Sequence, residues 1–319
     1  MNPLYKDFIN GNLISKNDIL KIVNENNINC KILNIKYSNF KKIYIEIEEK
    51  KELYFLKLSL DKYSISLSNN EQHAYSIIKE SYKDRFNLID YKMINRNEDY
   101  HLSKMKFIKG IEGNYFQYKN FYNYNSFQNL SYVSLETYLN KIKKRYNLNQ
   151  HFFLKDELID KKFVTKYKNI KIPIDVSHGD FIHFNTLKSN ENKYVIDLEF
   201  FNEERIFLYD FFHWYLTPII MKTKDINRLF DFSDNVFLVI IKILNLNLRK
   251  NVNNYKEIFK NKYLLKILIV LFLFERHIFT TSTLLLKNIS ELVDEKHKIS
   301  LIKQIDVISN LLIGLTKIR

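Results

Sequence analysis

Glycine, proline and cysteine are scarce in this chain: five, three and one among 319 residues. So little Gly and Pro beside 46% hydrophobic residues excludes a disordered chain and leaves ample material for a core. The lone cysteine, Cys30, excludes an internal disulfide and a thiolate zinc cluster, and points to a reducing, cytoplasmic setting. Long apolar runs are missing too. Ile267–Phe274 is too short to cross a bilayer, is bounded by Lys266 and Glu275, and reads as a buried helix. Met1–Asn12 carries Asp7 and no apolar stretch, so no signal peptide is expected. Acidic residues are in deficit, 36 against 50 basic ones, for a net charge of +14. A basic surface attracts nucleotides, phosphorylated glycans or anionic lipid headgroups. No zinc-finger or RNA-recognition motif accompanies the charge, so nucleic acid is not expected as a partner, while association with a membrane surface stays open.

What the chain does have is concentrated in one segment. His178-Gly179-Asp180-Phe181-Ile182-His183-Phe184-Asn185 is followed by Val195-Ile196-Asp197-Leu198-Glu199. Carboxylates and an amide stand there on loops beside short apolar strands. Asp180 and Asn185 lie five residues apart, the spacing between the base and the metal-binding amide of a kinase catalytic loop. Asp197 ends an apolar run, as a metal-holding aspartate does after a strand. Oxygen ligands of this kind suit Mg²⁺.

Periodicity gives a coarse outline. Ser15 and Asp18 cap a short helix whose stripe is Ile19, Leu20, Ile22 and Val23. Lys31–Tyr37 and Ile43–Glu48 alternate as strands around the turn Ser38–Lys42. Leu53–Leu60 is a third strand, with Leu53, Phe55, Lys57 and Ser59 on one face. Ser68-Asn69-Asn70-Glu71 is expected to open a helix to about Glu80. Two more strands are expected near Phe86–Lys92 and Tyr100–Met105. Lys106–Gly113 holds two of the glycines and reads as a linker. Helices are expected at Ser134–Tyr146 and Phe152–Tyr167, a hairpin at Thr186–Asp197, and helices from Ile206 onward.

HGD-x-x-x-x-N followed by I-D-x-E resembles the aminoglycoside phosphotransferase and choline kinase group, small-molecule kinases with a protein-kinase-like fold. The resemblance implies an α+β, two-lobed chain: a small β-rich N-lobe (1–105), a linker (106–113) and a larger helical C-lobe (114–319). It implies transfer of a phosphoryl group from ATP or GTP, with Mg²⁺, to a hydroxyl of a sugar, an amino alcohol or an aminoglycoside-like compound. A glycan- or lipid-linked acceptor at a membrane, and a nucleotide-binding pseudokinase, remain alternatives.

Roles follow residue by residue from that resemblance. Asp180 is the catalytic base. Asn185 and Asp197 hold Mg²⁺, and the resemblance implies a supporting metal role for Glu199, which shares a face with Asp197 if the strand continues; the alternative for Glu199 is a solvated acid at a strand end. His178 braces the loop; Gly179, in a chain so poor in glycine, is expected on its own account to take a backbone angle other residues resist or to let the loop pass close to a neighbour. Asp210 receives backbone hydrogen bonds from the catalytic loop, or pairs with Arg205. Lys57 contacts phosphate with Glu71 as its partner, although an edge-strand lysine and a Ser68–Glu71 capping box would explain each without a site. Met105 and Ser38 complete the nucleotide-binding candidates. No glycine falls in Ser38–Lys42, which departs from the glycine-rich loop of protein kinases. Aromatics at Tyr115–Phe127 are candidates for stacking on a sugar or holding a quaternary ammonium, or for plain packing, and Phe200, Tyr209, Phe211, His213 and Trp214 after the metal motif resemble the choline kinase side of the group.

Overall fold

The computed structural model describes residues 14–37, 42–83, 85–112, 130–146, 159–190, 192–222, 261–289 and 295–316. Its contacts separate into two compact units, Met1–Tyr122 with Ile182–Phe201, and Asn123–Phe181 with Asn202–Arg319.

The first unit starts with α1 (Lys16–Glu25), closed by a reciprocal Ser15–Asp18 capping box. Strands β1 (Lys31–Tyr37), β2 (Lys42–Glu49), β3 (Glu52–Ser59), β4 (Tyr91–Arg96) and β5 (His101–Lys106) form an antiparallel sheet in the order β1-β2-β3-β5-β4. Ile43, Ile45, Ile47, Leu56, Leu58 and Leu102 pack on Ile19 and Val23 of α1 in one core. The register pairs Lys42 with Ser59 and Tyr44 with Lys57, so these four share the opposite face.

Helix α2 (Lys62–Ser81) covers that polar-bearing face, where Tyr75 stacks on Tyr91 at 4.3 Å. It begins six residues earlier than the sequence suggests. Asp61 accepts from the Ser64 amide, and Ser64 Oγ accepts from the Asp61 amide, making Asp61 the true cap. Ser68 and Glu71 are therefore buried interior residues, on the stripe of Leu67, Ala74 and Ile78, and do not form a capping box. The fourth strand also lies later than expected, at β4, while Leu88 makes only a single bridge to Val195.

Ile111–Glu112 (β6), Thr186–Ser189 (β9) and Asn192–Val195 (β10) form a second sheet of this unit, ordered β10-β9-β6. This pairing, and the Val195 amide donating to Asn87 O at 2.9 Å, draws residues 182–201 into the first unit. A cut at 106–113 does not describe the grouping. Gly110 serves the pairing directly, because a Cβ there would lie 2.9 Å from the Lys188 carbonyl oxygen.

The second unit holds a sheet ordered β11-β8-β7, from Ser131–Ser134 (β7), Lys171–Ser177 (β8) and Asn202–Ile206 (β11). Its helices are α3 (Leu135–Arg145), α4 (Lys161–Tyr167), α5 (Tyr209–Lys222), α6 (Lys262–Ile289) and α7 (Glu295–Thr316). Residues 152–158, expected to begin a helix, lie outside the described residues. Leu264–Phe274 of α6 is mostly buried. Within it Glu275 is fully enclosed, with Arg145 and Arg205 on one carboxylate oxygen and Tyr138 on the other. Arg205 thus pairs with Glu275. Lys298–Thr316 of α7 is long and apolar enough to cross a bilayer by length and composition, with mean hydropathy 1.4. In this structure α7 packs on α6 and α5, burying Leu301, Val307, Ile308 and Leu312.

Candidate active site

The candidate residues fall into two groups, one in each unit. In the first unit, Lys57 projects from the middle of β3 and is 2% exposed. Its ammonium lies 3.0 and 3.2 Å from the two Glu71 oxygens and 3.1 Å from Asp197 Oδ1, and it also bonds Glu199 Oε1. An ammonium in this setting is tenable only with such partners. Burial pulls the Lys57 pKa down, but Asp197, Glu199 and Glu71 together lift it well above the ordinary lysine value. Burial raises the Glu71 carboxyl, and Glu199 and Asp197 add to that, against the pull of Lys57.

The strand does not continue past Asp197 to carry Glu199. Asp197 takes a left-handed backbone, φ 63°, and Leu198–Phe200 turns as a 3₁₀ helix. The turn buries Glu199 and brings it to the same ammonium as Asp197, so Glu199 is not a solvated strand-end acid. Asn70 of α2 fixes the turn by donating its side-chain amide to the carbonyls of Glu199 (2.7 Å) and Phe201 (3.0 Å). Asn185 closes the short 3₁₀ turn His183–Asn185, and its carbonyl accepts from the Ile196 amide at 3.0 Å, next to Asp197.

Glu71, Asp197 and Glu199 each bring an oxygen within 4.8 Å of the others. That donor set fits a hard divalent cation such as Mg²⁺. Sequence reasoning missed two residues here. Lys42, 1% exposed at the head of β2, pairs with Glu199 Oε2. Asn70 read as part of a cap. The parity of Lys42 with Tyr44 was visible in the sequence, but the register that sets it beside Lys57 was not. Met105 lies on the same sheet face as Lys57, since it pairs with Phe55, and Lys57 pairs with Ser103. Ser38 lies outside the described residues, as do the aromatics of 115–127.

In the second unit the Asp210 carboxylate accepts the backbone amides of His178 (2.7 Å) and Gly179 (3.0 Å). Burial raises the Asp210 carboxyl, and His178 and the two amides pull it back only in part. Gly179 has φ 87°, a region that penalises a side chain. The Asp180 amide donates to His178 Nδ1 at 3.3 Å, and the buried His178 ring meets Phe181 edge-on. These contacts brace the segment that presents Asp180, which keeps 26% of its side chain exposed. His213 Nε2 stands 3.4 Å from Asp180 Oδ1. Burial, then Arg276, holds the His213 pKa well below its ordinary value, so the ring is neutral. Tyr209, Phe211 and Trp214 are almost fully enclosed, with Phe211 against Tyr215, Trp214 against Phe181 and Tyr209 against Phe272. They pack the core and do not form an open aromatic box.

No protein-family model matches the chain, and no curated protein matches it. Solved structures do. The chain is similar to an ethanolamine kinase of Plasmodium vivax, with TM-score 0.56 and 13% identity, covering 95% of this chain and 91% of that one. It is also similar to a thermostable mutant of the aminoglycoside phosphotransferase APH(4)-Ia, in ternary complex with AMP-PNP and hygromycin B. That match has TM-score 0.50 and 8% identity, covering 92% of this chain and 98% of that one. These likenesses show the fold: α+β and protein-kinase-like, with a β-rich N-terminal part and a larger helical part, as the motif resemblance implied.

Proposed function

We propose that this chain is a phosphotransferase that moves the terminal phosphoryl group of ATP or GTP to a hydroxyl of a small molecule. The observation that carries the reading is the buried Lys57 ringed by Glu71, Asp197 and Glu199. A buried ionic cluster of this size is a poor device for stability, because desolvation offsets much of its attraction. It is well suited to holding a cation and phosphate oxygens.

In this reading Asn185 and Asp197 hold Mg²⁺ with support from Glu199. When bound, the cation neutralises charge on the transferring phosphoryl group. Lys57 contacts the donor phosphates, and Glu71 keeps its ammonium in place. Asp180 accepts the proton of the acceptor hydroxyl as the oxygen bonds to phosphorus. The bond from that phosphorus to the bridging oxygen breaks, and the nucleoside diphosphate leaves with it. Asp210 and Gly179 hold the Asp180 loop in shape, which is most of what this chemistry asks of a protein. The acceptor class is a sugar, an amino alcohol or an aminoglycoside-like compound. Both structural neighbours above fit that class, one by its name and the other by its bound hygromycin B.

The test is nucleoside diphosphate release with Mg²⁺ over a panel of hydroxyl compounds. Asp180→Asn is expected to lower turnover by about 10²–10⁴-fold, the usual worth of a positioned base. Full turnover in that variant would refute the mechanism. Nucleotide binding with transfer to no acceptor would favour a pseudokinase.

A further inference from the structure

His213 has no part in the chemistry described so far, yet it faces the reacting group. It lies on α5 one turn after Asp210, so the two side chains share a helix face. Asp210 accepts the backbone amides of His178 and Gly179. His213 meets the next residue in the chain, with Nε2 3.4 Å from Asp180 Oδ1. One turn of helix thus addresses three consecutive loop residues, two by their backbone and the third by its carboxylate.

The His213 ring is 1% exposed, and neither of its nitrogens makes a well-formed hydrogen bond. A buried polar ring in that condition is costly and calls for an explanation. Around it, Arg276 of α6, Arg205 of β11 and His178 of the loop disfavour a positive charge, while the Phe181 backbone favours one. Burial decides the balance, so the ring is neutral and carries a single N–H. On Nδ1, that proton would leave the Nε2 lone pair against the Asp180 carboxylate, which repels it. On Nε2, it is offered to Oδ1. The separation is long for a formed bond, but a small rotation of the carboxylate closes it. Catalytic hydrogen bonds often tighten in this way only when substrate is in place.

We propose that His213 is a positioning residue for the transfer: it donates Nε2–H to Asp180 Oδ1 and so fixes the carboxylate that receives the proton of the acceptor hydroxyl. This role rests on the phosphotransferase reading above. An N–H given to a carboxylate favours its ionised form, the form able to accept a proton. It also holds the second oxygen in one direction, and small misplacements of a reacting group cost much of the rate. A further contact of Asp180 adds to this hold and does not replace it.

Two measurements on the full chain test the role. The first needs no acceptor. In the ¹H–¹⁵N imidazole spectrum near neutral pH, the His213 signal is identified by its loss in His213→Leu or, should that chain not fold, in His213→Gln. It is expected to show the neutral ring with its proton on Nε2. A proton on Nδ1 alone overturns the assignment.

The second is ADP release from Mg²⁺–ATP over the panel of hydroxyl compounds, with water as one of the acceptors. His213→Leu fills the space and donates nothing. It is expected to lower kcat roughly tenfold, the worth of one hydrogen bond to a charged group, with the KM for nucleotide within about twofold of wild type. His213→Gln keeps a side-chain N–H and is expected to turn over at least about threefold faster than the leucine variant. A ring that only packs the core gives the two variants similar losses, and that result overturns the proposal. So does a loss that lies in the nucleotide KM. If wild type transfers to no acceptor, the phosphotransferase reading falls and takes the His213 role with it. If wild type turns over and His213→Leu keeps pace, only the His213 role falls.

Discussion

The Lys57 ammonium sits 3.0 Å from Glu71 Oε2, and both side chains are sealed from solvent. Glu71 is the most enclosed acid in a cluster with more carboxylates than ammoniums. Its charge is therefore a burden on the fold and an asset to the site. Glu71→Gln keeps the shape and removes the charge. We expect its unfolding free energy to change by less than about 1 kcal/mol, because Lys57 keeps two other carboxylates. We expect kcat/KM for the nucleotide to fall by about tenfold or more, as the ammonium loses its fixed position. Thermal unfolding and steady-state kinetics on the same preparation check both halves.

Asp210 accepts two loop amides at once. Asp210→Asn offers one oxygen and turns an N–H toward the other amide, leaving a buried donor unsatisfied at a cost of about 1–3 kcal/mol. Since the strain falls on the loop that presents Asp180, kcat should drop more than the KM for nucleotide rises. A variant that changes KM alone would assign Asp210 to nucleotide binding instead.

Much of this arrangement was legible in the residues themselves. The Ser15–Asp18 cap, the three-strand run, the face of β3 that bears Lys57 and the hairpin before Asp197 follow from local chemistry, and the structure has them. Strand β8 was hidden by Pro173, which cannot donate to a ladder and argues against a central strand. There its carbonyl is what matters, accepting from the Phe207 amide at 2.8 Å. The start of α2 was misplaced because Asp61–Ser64 and Ser68–Glu71 are equally good capping pairs by sequence. Only burial of Glu71 beside Lys57 decides between them. Lys42 and Asn70 were out of reach for a different reason: their partners stand 157 and 129 residues away in the chain.

His213 sets a pH limit on the second unit. Its pKa in the folded chain is well below 6.5, through burial first and Arg276 second. The unfolded chain takes up that proton below pH 6.5 and the folded chain does not. The contribution of neutral His213 is thus complete above 6.5 and is lost as pH falls below it. This one group gives at most about 1.4 kcal/mol per pH unit. Denaturant unfolding from pH 7.5 downward should show a shallower acid loss in His213→Gln than in wild type. Equal slopes would contradict the assignment.

Glu275 is the buried anion that both Arg145 and Arg205 require. Burial raises its carboxyl, but Arg205 and Arg145 more than reverse this, and the pKa ends below the ordinary value. Glu275→Gln leaves two guanidinium groups short of charge and should destabilise the chain by about 3–5 kcal/mol. Calorimetric unfolding reads this directly.

The central claim is that Asp197 binds the cation accompanying the nucleotide while Asp180 acts on the acceptor. Mg²⁺-dependent ATP affinity, titrated in wild type, Asp197→Asn and Asp180→Asn, separates those roles most directly. Wild type and Asp180→Asn should bind alike, and Asp197→Asn should lose the Mg²⁺ dependence. Unchanged Mg²⁺–ATP binding in Asp197→Asn would contradict the site as drawn from the Lys57 cluster.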